Sequence, residues 1–253
     1  MQVHIPVGGA ELWAEDTGGD GTPVVLVHAD WTDSGIWEPL VPLLRDRYRL
    51  IRYDLRGFGR SSRPAGRFTR LHDLRAVLDY LGIESAVLAG HSGGGGTALA
   101  LALQQPGRVR ALVLVAPGIH DYPWPGDDAF FRECGSLIEA KDHGGLLRLG
   151  LRTWAGSGTD AAVTAMMRGA ISSWFQAGDL EEEDPPGFER IGEIRLPCVM
   201  LVGDGEYPMV AEASRAIATR LDGCRTLLVP GADHLLPLRA PGRLAEAIAG
   251  LAG

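Results

Sequence analysis

The sequence is poor in cysteine and has no long hydrophobic run. Its three cysteines, Cys134, Cys198 and Cys224, are odd in number and widely spaced. This pattern argues against a disulfide framework or a zinc site and favours free thiols in a reducing cytosol. No apolar run approaches the ~20 residues that a membrane helix needs, and the first residues lack the pattern of a signal peptide. We therefore expect a cytoplasmic protein with no membrane partner.

Lysine is also nearly absent, since Lys141 is the only lysine among 24 basic residues. The 32 acidic residues give a formal net charge of −8, and the isoelectric point is near 5.4. This balance argues against a nucleic acid or an anionic membrane as the main partner. A chain of 253 residues with 45% hydrophobic content is long enough for one α/β domain with an insertion, and we expect its partner to be a small molecule.

Short apolar runs alternate with segments of helical period along most of the chain. Residues 2–16 alternate around Gly8-Gly9 and predict an opening β-hairpin. Further strands are predicted from runs that start at Val24, Tyr48, Ala86, Val109, Cys198 and Arg225. Helices are predicted between them, and "TALALALQQPG" is apolar on nearly all sides, as in a buried helix. The pattern predicts a doubly wound, mostly parallel α/β sheet.

Residues 118–190 interrupt this alternation. They contain 8 of the 17 aromatic residues and end in an acidic stretch before "DPPG". We expect them to form a helical lid insertion over the carboxyl ends of the strands, with a core made of residues 1–117 and 191–253. Some of the aromatic side chains would hold the insertion together and others would line a pocket.

The stretch "AVLAGHSGGGG" places one serine between an apolar strand and four glycines. Gly90-His91-Ser92-Gly93-Gly94 matches the pattern G-x-S-x-G, which presents a nucleophilic serine on a sharp turn from strand to helix. A serine hydroxyl needs a base to accept its proton, and the base needs a third group to orient it. His234 follows the last predicted strand, in "VPGADHLLPL". It is the best candidate for the base among the seven histidines.

Five motifs in order resemble the α/β-hydrolase superfamily: "HADWTDSGIW", "YDLRGFGRS", "GHSGG", "LVGDGEYP" and "PGADHLLPL". The chain is most similar to capped esterases and to enol-lactonases of the 3-oxoadipate type. The resemblance implies Ser92 as nucleophile, His234 as base and Glu206 as the carboxylate that orients the base. Asp204 is the rival for the acid, and Asp121 is a weaker third choice.

The resemblance also implies an oxyanion hole made by the backbone N–H groups of Asp30 and Gly93. The sequence departs from the family here, because Ala29 replaces a glycine and an aspartate occupies the donor position. A negative side chain beside a developing oxyanion opposes catalysis unless it points away, is protonated or contacts the substrate. A side chain that turns outward to cap the helix near Ser34 is the alternative.

The leading hypothesis is a serine hydrolase, with no cofactor or metal, that acts on a small ester, thioester or lactone through an acyl-enzyme on Ser92. A lyase, cyclase or acyltransferase on the same scaffold is the second reading, and a ligand-binding protein without turnover is the third. Dehalogenases and epoxide hydrolases are disfavoured, because those relatives carry aspartate in the position of Ser92. The oligomeric state is not predicted.

Overall fold

The computed structural model describes residues 1–126, 128–177 and 180–253, and in them eight strands form one sheet. The strands are β1 Gln2–Val7, β2 Ala10–Asp16, β3 Pro23–Val27, β4 Arg49–Tyr53, β5 Ala86–His91, β6 Val109–Val115, β7 Cys198–Gly203 and β8 Arg225–Val229. The hairpin and the six later strands occur where the sequence predicts them. The spatial order is β1-β2-β4-β3-β5-β6-β7-β8, antiparallel from β1 to β4 and parallel from β4 onward.

Helices cover both faces of the sheet, which confirms the doubly wound α/β fold. The helices are α1 Val41–Leu44, α2 Arg70–Tyr80, α3 Gly93–Gln104, α4 Ala129–Glu139, α5 His143–Trp154, α6 Ala161–Ala177, α7 Pro208–Arg220, α8 Leu236–Arg239 and α9 Pro241–Ala252. Alternate residues of each strand point to opposite faces of the sheet. Val25 and Val27 pack with α2 and α3, whereas Val24 and Leu26 pack with α1 and α9.

The four consecutive glycines let α3 approach its neighbours closely. A Cβ at Gly94 would collide with the carbonyl oxygen of Val27 and would lie 2.6 Å from that of His28. A Cβ at Gly96 would collide with the carbonyl oxygen of Gly118. The glycines therefore bring the first turn of α3 against the ends of β3 and β6, and larger residues would hold these elements apart.

The segment 118–190 contains helices α4, α5 and α6 in its described part. Helix α5 lies close to the loop after β3, because a Cβ at Gly150 would be 2.5 Å from the ring of Trp31. Trp154, the last residue of α5, is also within ring contact of Trp31, at 6.2 Å between centroids. The segment thus packs against the edge of the sheet where the parallel strands end. Among the described helices, none is long and apolar enough to cross a membrane.

Candidate active site

Ser92 occupies the sharp turn that joins β5 to α3. Its φ of 52° and ψ of −122° lie outside the regions that side-chain-bearing residues favour. Two backbone hydrogen bonds fix this conformation: Ser92 N–H donates to the carbonyl of Val115 at 3.0 Å, and Gly118 N–H donates to the carbonyl of Ser92 at 2.9 Å. The neighbouring end of β6 therefore holds a strained backbone that presents the serine side chain, as the nucleophile motif requires.

The sheet order brings the candidate residues to one edge. Strands β3, β5, β6, β7 and β8 are parallel neighbours, so the loops that follow them open at the same edge. Asp30 follows β3, Ser92 follows β5, Glu206 follows β7 and His234 follows β8. Residues that are more than 200 positions apart in the chain, such as Asp30 and His234, therefore lie at the same edge of the sheet.

His234 and Glu206 form a buried pair. The Nδ1 atom of His234 lies 2.9 Å from Oε2 and 3.0 Å from Oε1 of Glu206, and the two residues are only 1% and 7% exposed. A carboxylate can only accept hydrogen bonds, so Nδ1 carries the proton and Nε2 is left with a lone pair. That tautomer is the one a general base needs.

The other two candidate carboxylates bind elsewhere. Asp204 Oδ1 accepts a hydrogen bond from the backbone of Gly231 at 2.8 Å, so Asp204 stabilises the turn after β8. Asp121 Oδ2 accepts from the backbone N–H groups of Gly187 and Phe188, both at 2.9 Å. Of the three acids considered from the sequence, the structure brings only Glu206 into hydrogen-bonding contact with His234.

His91 connects the turn that carries Ser92 to the loop that carries His234. Its Nε2 lies 2.8 Å from the backbone carbonyl of His234, and the two rings are 4.8 Å apart. Because a carbonyl accepts, Nε2 of His91 donates, and burial lowers the pKa of His91 well below its usual value. Among the described residues, the Ser92 hydroxyl forms no hydrogen bond with His234. In enzymes that use such a pair, the contact often tightens only when substrate binds.

Asp30 faces the cavity beside Ser92 and does not cap the helical turn at Ser34–Trp37. Asp33 caps that turn by accepting a hydrogen bond from Gly35 N–H at 2.8 Å. Asp30 instead forms an ion pair with Arg70 of α2, with 2.6 Å between Oδ1 and the guanidinium nitrogen. Burial alone would raise the pKa of Asp30, but Arg70 holds it below its usual value. The carboxylate is therefore ionised next to the predicted oxyanion hole.

Two further residues, which the sequence interpretation missed, hold the Asp30 loop in place. His28 bridges it: Nδ1 donates to the carbonyl of Ala29, and Nε2 accepts from the backbone N–H of Leu55, each at 2.9 Å. Burial lowers the pKa of His28, which favours this neutral form. Trp174 of α6 donates from Nε1 to the backbone carbonyl of Asp30 at 3.0 Å.

A cavity of about 420 Å³ opens in front of Ser92. One wall is aromatic and comprises Trp31, Trp124, Phe130, Phe131 and Trp154. The other wall is polar and comprises Asp30, Arg70, Thr97, His120, Glu181, Glu182, Glu183 and Asp184. Gly93, the predicted second oxyanion donor, also lines the cavity. In the described part of the chain, no group of three or more His, Cys, Asp or Glu residues is placed to bind a metal ion.

A family model described as "Alpha/beta hydrolase family" matches residues 24–247. The chain belongs to this family. The α/β-hydrolase fold predicted from the five sequence motifs is thereby confirmed, and the chain is an α/β-hydrolase enzyme.

Individual members of the α/β-hydrolase family resemble the chain over different lengths. It is 28% identical to a candidate carbamate hydrolase, RutD, of Azorhizobium caulinodans over 97% of this chain and 96% of that protein. It is 38% identical to a pimeloyl-[acyl-carrier protein] methyl ester esterase of Legionella pneumophila over 44% and 46% of the two chains. The crystal structure of an enol-lactonase from Burkholderia xenovorans LB400 superposes with a TM-score of 0.79 at 23% identity, over 98% and 99% of the two chains.

Proposed function

We propose that this α/β-hydrolase is a cofactor-free serine hydrolase that cleaves a small ester, thioester or lactone through an acyl-enzyme on Ser92. The single observation that carries the proposal is the buried pair of His234 and Glu206, 2.9 Å apart, at the same sheet edge as the strained turn of Ser92. The names of its relatives, which include an ester hydrolase and a lactonase, support this substrate class.

In the proposed first half-reaction, Ser92 Oγ attacks the carbonyl carbon of the substrate while its proton moves to Nε2 of His234. Glu206 stabilises the imidazolium that forms. The negative charge on the former carbonyl oxygen is stabilised by the backbone N–H groups of Asp30 and Gly93. The carbon–oxygen or carbon–sulfur bond then breaks, and His234 returns the proton to the leaving group.

In the second half-reaction, water takes the place of the leaving group. His234 accepts a proton from the water, whose oxygen attacks the acyl carbon. The bond to Ser92 Oγ breaks, the serine regains a proton from His234, and a carboxylic acid is released. A lactone gives a single hydroxy acid, because its alcohol and acyl parts belong to one molecule.

We infer that residues 118–190 act as the lid and that residues 1–117 and 191–253 form the core. Helices α4 and α5 of the segment contribute Phe130, Phe131 and Trp154 to the aromatic wall of the cavity. A volume of about 420 Å³ is in the range of small-molecule sites. The aromatic wall would bind the apolar part of the substrate, and the Ser92 side of the cavity would receive its carbonyl group.

A non-hydrolytic enzyme on the same scaffold, a lyase, cyclase or acyltransferase, is the second candidate. The observation in its favour is the ionised carboxylate of Asp30 in the cavity, because a plain esterase does not need one. Trapping an acyl-enzyme on Ser92 and following its reaction with water would separate the two. A ligand-binding protein without turnover is excluded if any substrate is converted faster than in buffer.

The test of the proposal is labelling with a fluorophosphonate followed by peptide mass spectrometry. We expect one adduct, on Ser92, and none in the Ser92→Ala variant. A panel of acyl esters, thioesters and lactones, assayed in parallel, would define the substrate class. Labelling of another serine, or of none, would contradict the assignment of the nucleophile.

A further inference from the structure

Three charged side chains form a chain across the polar wall of the cavity. The guanidinium of Arg70 contacts Asp30 Oδ1 and Glu181 Oε1, each at 2.6 Å. Arg70 is the first residue of α2, Asp30 follows β3, and Glu181 follows α6. The side chains of Arg70, Asp30 and Glu181 are 14%, 36% and 29% exposed, so water screens these contacts only in part.

The carboxylate of Asp30 lies beside Gly93, one of the two residues predicted to form the oxyanion hole. A Cβ at Gly93 would collide with Asp30 Oδ2 and would lie 2.8 Å from a guanidinium nitrogen of Arg70. The two N–H groups that we propose as oxyanion donors are those of Asp30 and Gly93. A negative side chain therefore belongs to one donor residue and lies beside the other.

An uncompensated carboxylate in this position would repel the oxyanion that forms during the reaction. We propose that Arg70 is a positioning residue that neutralises Asp30 and holds its carboxylate to one side, so that the oxyanion hole can function. This inference depends on the proposed serine mechanism and extends it.

The contacts of Arg70 favour this role over direct binding of an anionic substrate. Both carboxylates that it contacts come from the protein, and a substrate carboxylate would have to displace Asp30 or Glu181. It would also meet the carboxylates of Glu183 and Asp184 in the same wall. Arg70 therefore acts through Asp30 and is already paired before substrate enters.

The test is a double-mutant cycle of Arg70→Gln and Asp30→Asn, measured as kcat and KM on a small activated acetate ester. We expect Arg70→Gln to lower kcat about 100-fold, the loss typical of one impaired oxyanion donor, with little change in KM. We expect the Asp30→Asn/Arg70→Gln double variant to have a kcat at least tenfold higher than that of Arg70→Gln alone. Removal of the carboxylate makes its neutralisation unnecessary.

Arg67→Gln is the matched control. Arg67 lies three residues before Arg70 and pairs with Glu182 at 3.0 Å, but its side chain is 70% exposed. We therefore expect wild-type kcat in Arg67→Gln. Arg70→Lys keeps a positive charge and should stay within about tenfold of wild type. If Arg70→Gln does not fold, Arg70→Lys takes its place in the double-mutant cycle. Adding Asp30→Asn should then restore the smaller loss of kcat caused by Arg70→Lys.

A double variant as slow as Arg70→Gln would overturn the inference, as would wild-type kcat in Arg70→Gln. Fluorophosphonate labelling of the wild-type protein distinguishes this failure from that of the proposed function. If Ser92 is labelled but Asp30→Asn brings no rescue, only the role of Arg70 is wrong. If Ser92 is not labelled, the proposed function fails.

An independent observation concerns two cysteines at the opposite edge of the sheet. Cys198 begins β7, and the parallel register, which pairs Val199 with Arg225, places Cys224 beside it. The two Sγ atoms lie 3.2 Å apart. The hydrogen bond between the two thiols lowers the pKa of Cys224, although burial opposes this shift.

We infer that Cys198 and Cys224 form a disulfide when a disulfide oxidant such as oxidised glutathione is present. The Cys224 thiolate attacks one sulfur of glutathione disulfide and releases one reduced glutathione. Cys198 loses its proton and attacks the mixed disulfide at the Cys224 sulfur, which releases the second glutathione. The two protein thiols lose two electrons and two protons, and one glutathione disulfide is reduced.

Treatment with oxidised glutathione, alkylation and peptide mass spectrometry test this disulfide. We expect a loss of about 2 Da, a peptide linked through Cys198 and Cys224, and an alkylated Cys134. The Cys134→Ser variant should form the same link, and Cys198→Ser should not. A stable glutathione adduct, a link to Cys134 or alkylation of all three cysteines would each overturn the inference.

Discussion

Replacing Glu206 by glutamine tests the proposed catalytic acid most directly. The backbone N–H of Tyr207 donates to Glu206 Oε1 at 2.9 Å, so an amide in this position would turn its oxygen toward Tyr207. Its NH₂ group would then face Nδ1 of His234 and force the ring proton onto Nε2. A histidine protonated at Nε2 cannot accept the proton of Ser92.

The expected loss in kcat is about 10⁴-fold, the value known for the equivalent change in serine proteases. This corresponds to about 5.4 kcal/mol of lost transition-state stabilisation. The full effect is expected here because His234 and Glu206 are 1% and 7% exposed, so water cannot easily replace the missing carboxylate. The assay is kcat on an activated acetate ester, with the thermal unfolding midpoint measured to verify folding.

Asp204→Asn is the matched control for this change. Asp204 is exposed and accepts one hydrogen bond from Gly231 N–H, which the amide oxygen of asparagine can also accept. We expect near-normal kcat. If the Asp204 variant were inactive and the Glu206 variant retained more than a tenth of wild-type kcat, the assignment of the acid would be wrong.

Three further changes test the site and the turn that carries it. Ser92→Ala should lower kcat by about 10⁴–10⁶-fold with an unchanged unfolding midpoint; near-normal turnover would refute the nucleophile. Asp30→Gly should lower kcat/KM on the best substrate of the panel while small activated esters survive, and equal kinetics on every substrate would show that Asp30 does not orient the substrate. Gly94→Ala should lower the unfolding free energy by about 3 kcal/mol or more, because its Cβ would collide with the Val27 carbonyl. Gly107→Ala is the control, since Gly107 has open space around it. Equal stability of the two variants would contradict the inference that Gly94 allows α3 to approach β3 closely.

The sequence predicted those parts of the fold that depend on local pattern. Buried strands appear as apolar runs and helices as periodic ones, so the hairpin, the six later strands and α3 were found. The turn at Ser92 was predicted because glycines must flank so tight a bend. Only the family resemblance favours Glu206 over Asp204, because both residues follow β7 and local pattern does not show which side chain reaches His234.

Arg70 could not be found from the sequence. It is one of many arginines, and its N-terminal position in α2 indicates a helix start and nothing more. Its role depends on a distance to Asp30 and Glu181, which lie 40 and 111 positions away in the chain. The sequence does not determine the orientation of Asp30 either, because the guanidinium beside it determines that orientation. Interactions of this kind are set by packing between distant segments.

The contact of the insertion with the histidine loop limits how freely this segment can be exchanged. The ring of Trp154 lies 4.6 Å from that of His234, and Ser157 N–H donates to Asp233 Oδ2 at 2.8 Å. A chimera that received the whole insertion from a relative would also receive a new neighbour for His234, the proposed general base. Divergence toward new substrates should therefore be tolerated best in α4, while residues 154–158 evolve together with the loop that carries His234.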